Sequence, residues 1–455
     1  MVTTLAAARA IAWFCLWTTD HMASHPRVDR HRKVTSDMHD NRLSSRTKIP
    51  LRIATAAAVA AITLSACSAP SSSGSTSSST SKKLVIGVSL SLTGDFADPG
   101  KAVERGYQVW AGQVNAKGGL LGRKVELKIV DDLSSPNQVV TNYQNLISRD
   151  HVDLVFGPFS SLLTIPASQV ANRYHYAFVE SAGGGPKVFA QHLHNLFFVQ
   201  PAPVVQQGDV FADYILSLPA DQRPKTAAYP SLDDPFAKPI ADNVRTRFEA
   251  AGIRTVYQGT YPAETPDLTP IMAKVSAAKP DVIVSGTQSE DAYQQVKSLV
   301  QLHYSPRWLF MSNGANSPSE FPDKVGKRNT AGVFSSGDWF TDSKAAGSAD
   351  FIRAYTTKFG GTAAGIDNSS AEAYAAGQVL ELIAQRTGKI DNQTVIESLH
   401  GGTWPTLLGD LSWNSDGAPQ ASYQLVQWIG GALKPVFPAA VAQAAPVAPK
   451  PNWAG

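Results

Sequence analysis

The chain has 455 residues, 43% hydrophobic and 17% charged, enough for two or more folded units with cores of their own and too apolar for general disorder. The formal net charge of +3 is uneven: residues 1–66 hold nine Lys/Arg and four Asp/Glu, so the remainder carries 31 basic against 33 acidic groups. That near-neutral remainder excludes the basic surface that a nucleic-acid partner requires, and the two cysteines, Cys15 and Cys67, exclude a Cys-based metal site or disulfide downstream of residue 67.

In chain order, the first readable feature is a basic stretch with Arg42, Arg46, Lys48 and Arg52. It leads into an apolar run over 53–64, then Ser65, Ala66 and Cys67. A dozen apolar residues are short for a bilayer span and suit the core of an export signal. Leu64 to Cys67 resembles a bacterial lipobox, which implies cleavage before Cys67 and lipidation of its thiol. Met38 lies just upstream of the basic stretch and is the expected start, which makes 1–37 an extension. Residues 1–66 thus read as extension plus signal, and 67–83 as the lipidated cysteine with a Ser-rich tether. Acyl chains at Cys67 would fix the protein to the outer face of the cell membrane.

From residue 84 strands and helices alternate. Leu84–Leu90 is a continuous apolar run, as expected of a strand covered on both faces. Helices are predicted over 101–115, 137–148 and 161–174, with strands over 125–131, 153–156 and 176–180. The rhythm restarts with strands over 225–230, 254–260, 281–285 and 308–311, and helices over 237–251, 268–278 and 290–302. Such alternation argues for an α/β protein with parallel sheets built from right-handed βαβ units. Two series, divided near Pro201 and Pro203, argue for two doubly wound lobes. Ligands of such sheets bind beyond the carboxyl ends of the strands, so facing lobes would share one cleft. The Ala/Pro-rich end, 437–455, reads as a disordered tail.

Several segments carry a specific resemblance: SLTG at 91–94, NAKGGLLGR at 115–123, VDD at 130–132, GPFSS at 157–161, LSWN at 411–414 and Gln427-Trp428. In this order and spacing the chain, over 84–436, resembles the branched-chain amino-acid and amide-binding family of type I periplasmic solute-binding proteins. The resemblance implies a Venus-flytrap shape with crossovers near 200–204, 335–339 and 414–417. It assigns 84–202 with 338–413 to a first lobe and 203–337 with 414–436 to a second. It also implies a small-molecule ligand, an ATP-driven ABC permease as membrane partner, a single-copy carrier, and neither cofactor nor metal.

Site residues follow from the same matching. Ser160 and Ser161 open a helix, whose N–H groups and positive dipole end suit a ligand carboxylate. The resemblance places Ser161 on the serine that holds it. Ala182 and Gly184 lie on a glycine loop that offers backbone groups, with Gly184 in place of a threonine. Phe236 replaces a tyrosine, and Asn313 stands near a glutamate that pairs with a ligand ammonium. Gln288 at a strand mouth and Trp339 at the second crossover complete the expected contacts. The ammonium-holding side chains are mostly missing, so a carboxylate, amide or aromatic compound is expected in preference to a free amino acid. Two other readings are weighed. A sensor for a signalling partner shares this fold. An enzyme lacks support, since the chain has no G-x-S-x-G, P-loop, H-E-x-x-H or G-x-G-x-x-G motif. His192 and His194 read as surface residues, and Asp131 and Asp132 as loop-bonding groups.

Overall fold

A computed structural model describes residues 82–453. The expected extension, signal and lipidation site at Cys67 lie outside the described residues.

The first sheet is parallel throughout, in the order β2-β1-β3-β4-β5. Its strands are β1 (Leu84–Leu90), β2 (Val125–Asp131), β3 (Leu154–Phe156), β4 (Phe178–Glu180) and β5 (Leu196–Phe198). Helix Ala97–Ala116 packs on this sheet and against helix Asn368–Thr387, which returns from far along the chain. Their approach is close because glycines face bulk. A Cβ at Gly377 would lie 2.1 Å from the buried Trp110 ring, and one at Gly106 would lie 2.1 Å from the Ser370 carbonyl. Tyr107 stacks on Phe156 at 4.4 Å beneath them.

The second sheet runs β14-β13-β10-β9-β8-β6-β7. It comprises β6 (Thr226–Leu232), β7 (Arg254–Tyr261), β8 (Val282–Ser285), β9 (Trp308–Met311) and β10 (Val333–Gly337), joined later by β13 (Gln424–Ile429) and β14 (Ala432–Phe437). The small hairpin β11 (Trp404–Thr406) and β12 (Gly409–Leu411) stands apart. Both folded series are thus α/β, but the second is not wholly parallel, since β13 and β14 add antiparallel strands at one edge. The cause is local. Gly430 and Gly431 both take positive φ, 62° and 79°, the requirement of a two-residue hairpin whose twist matches its strands.

Three crossovers join the two sheets' units. The first and third are stitched together: the single Tyr423 O–H is shared between Gln200 Oε1 at 2.6 Å and the Ala202 carbonyl at 2.8 Å. Trp413 Nε1 donates to the Phe198 carbonyl at 2.6 Å, and the Ala421 N–H to the Pro201 carbonyl at 2.6 Å. Composition misleads at the C-terminus. Residues 438–453, expected to be disordered, run along the second unit. Gln427 exchanges two 2.7 Å hydrogen bonds with the backbone of Val447, Lys450 N–H donates to the Arg307 carbonyl, and Trp453 Nε1 donates to the Tyr304 carbonyl. A segment whose apolar residues are nearly all small is held here by backbone partners and one anchoring indole.

Candidate functional site

The carboxyl ends of β3 and β4 face those of β6, β8 and β9 across a narrow cleft. Five of the sequence-predicted contacts line it: Ser160 and Ala182 from the first side, Phe236, Gln288 and Asn313 from the second. Each is placed by a strand end or helix start. Ser160 caps helix Ser161–Arg173, its Oγ accepting from the Leu162 N–H at 3.2 Å while its N–H donates to the Ala182 carbonyl. It holds a φ of +78°, a left-handed conformation that a serine adopts only when its surroundings fix it. Gln288 caps helix Ser289–Gln301 in a capping box with Asp291. Its amide donates to Asp234 Oδ2 at 3.1 Å, and its Oε1 accepts from Asn313 Nδ2 at 3.0 Å. The second wall is therefore a preformed chain, Asp234–Gln288–Asn313, beside the nearly buried Phe236 ring.

Three predicted residues sit elsewhere. Ser161 is fully buried and does not line the cleft; its Oγ accepts from the Gly185 N–H at 2.9 Å and so ties the glycine loop to the helix. Gly184 has no room for the threonine it replaces, because a Cβ there would lie 2.2 Å from the Phe198 ring. Its carbonyl instead accepts from the Val204 N–H at 3.1 Å. Trp339 belongs to the first unit's core, 2% exposed, with Nε1 donating to Ser348 Oγ and its ring edge-on to Phe351 at 5.3 Å. Its outer edge borders a separate cavity shared with Phe340, Ile366, Trp428 and Leu433.

Sequence reasoning missed Phe159, Gln200, Val204, Gln207, Asn316, Ser369 and Glu372, which complete the lining. Glu372 is the consequential one. It lies in the first turns of helix Asn368–Thr387, about 200 residues from the Ser160 that shares the cleft with it, and no motif marks it. Behind it are the carboxyls of Asp338 and Glu180. Burial pushes Glu180 up to about 8, opposed by the Ala182 and Gly183 N–H groups. Burial likewise pushes Asp338 up to about 7 and, with repulsion from Asp338, holds Glu372 well above the usual carboxylate range. Among the described residues no group of three His, Cys, Asp or Glu is placed to hold a metal ion.

The two sides touch. A Cβ on Gly185 would lie 2.5 Å from the Pro235 carbonyl across the cleft. At the mouth Lys324 Nζ lies 3.3 Å from Asp98 Oδ2 on the other side and 3.7 Å from Glu290 on its own. The geometry is that of a closed clamp. His192 and His194 lie at the surface as expected, and His192 Nδ1 lies 3.1 Å from Asp416 Oδ1, supplied from 224 residues away. Asp131 accepts from the Leu92, Thr93 and Leu133 N–H groups, as a loop-ordering group does.

Comparison with known proteins places this geometry. The model of the periplasmic binding protein family matches residues 83–432. A Leu/Ile/Val-binding protein homolog of Brucella abortus is 28% identical over 357 residues, 77% of this chain and 91% of the relative. The crystal structure of the substrate-binding protein LivJ of Streptococcus pneumoniae in complex with isoleucine superposes with a TM-score of 0.69 at 19% identity, covering 77% of this chain and 98% of that one. A solute-binding protein of an ABC transporter from Rhodopseudomonas palustris, in complex with benzoate, gives 0.68 at 18% identity over 80% and 98%.

Proposed function

The chain belongs to the periplasmic binding protein family, a family of extracytoplasmic solute carriers rather than enzymes, and from that premise we propose that it captures one small solute for an ABC importer. The observation that carries this reading is the closed cleft, lined from one side by Ser160 and Ala182 and from the other by Phe236, Gln288 and Asn313. A ligand bridging both walls binds the closed form better than the open one, which is the requirement for ligand-driven closure. Moving the balance from 1:99 to 99:1 takes about 5.5 kcal/mol of differential binding. The Phe236 ring is already nearly buried in the closed form and offers the ligand an apolar edge, and hydrogen bonds from the preformed walls supply orientation.

The ligand in this reading is a carboxylate, amide or aromatic compound rather than a free amino acid. Asn313 is neutral and its amide is already engaged with Gln288, and the glycine loop presents no hydroxyl. The isoleucine and benzoate complexes among similar folds bracket the two alternatives. The carrier is tethered through lipidated Cys67 and delivers its cargo to a membrane permease. A thermal-shift panel tests the ligand class: stabilisation by organic acids or amides is expected, and strong stabilisation by leucine or valine with none by the acids overturns it. For the anchor, Cys67→Ser is expected to release the protein from the membrane fraction; continued retention sinks that part.

A further inference from the structure

Resting on the carrier reading, we infer that Glu372 meets the ligand as a neutral carboxylic acid, donating its O–H to a carboxylate or carbonyl oxygen, with Asp338 behind it as the group that holds the extra proton. Glu372 borders the cleft and is 8% exposed. Its neighbours supply no positive charge. Asp338 comes from the second crossover, Glu180 from the end of β4 and Asp367 from the cap of Glu372's own helix. The phenols of Tyr107 and Tyr423 complete the surround. Among the described residues none of Glu180, Asp338 and Glu372 has a Lys, Arg or His ion-pair partner. No hydrogen bond of regular geometry reaches either Asp338 oxygen, although the backbone N–H groups of Asp338 and Trp339 oppose its rise, and the fully buried Glu180 leaves Oε1 unpartnered. Carboxyls this close and this dry cannot all ionise. The pair Glu372–Asp338 therefore shares a proton, and the high positions of both groups agree with that.

A shared proton makes Glu372 a donor only to Asp338. When a ligand carboxylate takes that donor, Asp338 needs a proton of its own. One proton then enters from solvent, so that Asp338 O–H donates to the Glu372 carbonyl oxygen and Glu372 O–H donates to the ligand. Nothing is oxidised or reduced and the ligand stays ionised. The consequence is proton-linked capture. Affinity for a carboxylate is highest below the titration of the pair and falls above it by up to about tenfold per pH unit. A buried neutral acid acting as donor has precedent in enzyme oxyanion sites.

The experiment uses the whole processed protein with three probes, benzoate, isoleucine and putrescine, by calorimetric titration at pH 6.0, 7.0 and 8.5. In parallel, infrared spectroscopy of the ligand-free protein reads the protonated-carboxyl band near pH 7. Benzoate is expected to bind more tightly as pH falls, with proton uptake visible as a dependence on buffer ionisation enthalpy. Glu372→Gln, which keeps a donor but cannot titrate, is expected to flatten the slope and to lose part of the infrared band. Putrescine binding that strengthens as pH rises would make the cluster a cation site and overturn the inference. Isoleucine binding without pH dependence would overturn it too, yet leave the carrier reading standing. A missing protonated-carboxyl band at pH 7, or failure of benzoate at every pH, removes the donor.

Discussion

Replacing Lys324 tests whether the cleft is latched as well as hinged. Its ammonium is 3.3 Å from Asp98 across the mouth and 3.7 Å from Glu290 beside it. The Lys324 and Asp98 side chains are 37% and 28% exposed, so the pair is partly screened by water. A pair in that setting contributes about 0.2–1 kcal/mol, which corresponds to an equilibrium shift of about 1.4- to 5-fold. Lys324→Ala is therefore expected to shift the closed-to-open ratio toward open by that factor, and Lys324→Glu, facing Asp98 and Glu290, by more. The assay is an interlobe distance distribution from paired spin labels, at low salt and at 0.5 M salt. The parent is expected to open partly as salt rises, because exposed pairs are screened over about a Debye length, whereas Lys324→Ala is expected to be indifferent to salt. A Lys324→Ala distribution identical to the parent's at low salt would refute the latch and leave closure to the crossovers alone.

Other outcomes follow from the same geometry. Gly184→Thr is expected to destabilise by about 1–3 kcal/mol through overpacking on Phe198, read as a lower Tm, with partial rescue by Phe198→Leu; full tolerance would show that the ring yields. Ser161→Ala removes the acceptor of the buried Gly185 N–H, at a cost of about 1–3 kcal/mol, and should weaken ligand binding indirectly by loosening the loop. Trp339→Phe is expected to lower Tm through lost core packing without altering ligand affinity; an affinity change would return Trp339 to the site. Glu180 has a folded-state position near 8, above its unfolded value of 4.5. Its contribution to stability is therefore full below pH 4.5 and is lost as pH rises through 8. Glu180→Gln should flatten the decline of Tm over that window, and an unchanged decline would show that Glu180 is not its source.

The sequence by itself determined the alternation of strands and helices through the two series. Apolar runs such as Leu84–Leu90 and amphipathic helices between them are local patterns that survive without knowledge of partners. It also singled out five lining residues: Ser160 before a helix and Gln288 at a strand mouth announce themselves locally, whereas Ala182, Phe236 and Asn313 came from the family resemblance. What it could not decide was direction and distance. Ser161 and Ser160 are adjacent, yet only one faces the cleft, since one rotation about the first helical turn sends the neighbouring hydroxyl to the Gly185 N–H. Gly184 gave no sign that the Phe198 ring fills the space a side chain needs, and the tail's Ala/Pro composition hid its backbone pairing with Gln427. Glu372 became a wall of the site only because helix Asn368–Thr387 crosses back onto Trp110, placing its first turns beside strands from the other end of the chain. Burial belongs to the three-dimensional packing, and it is packing that strips water from Glu180, Asp338 and Glu372 and raises all three above the ordinary carboxylate range.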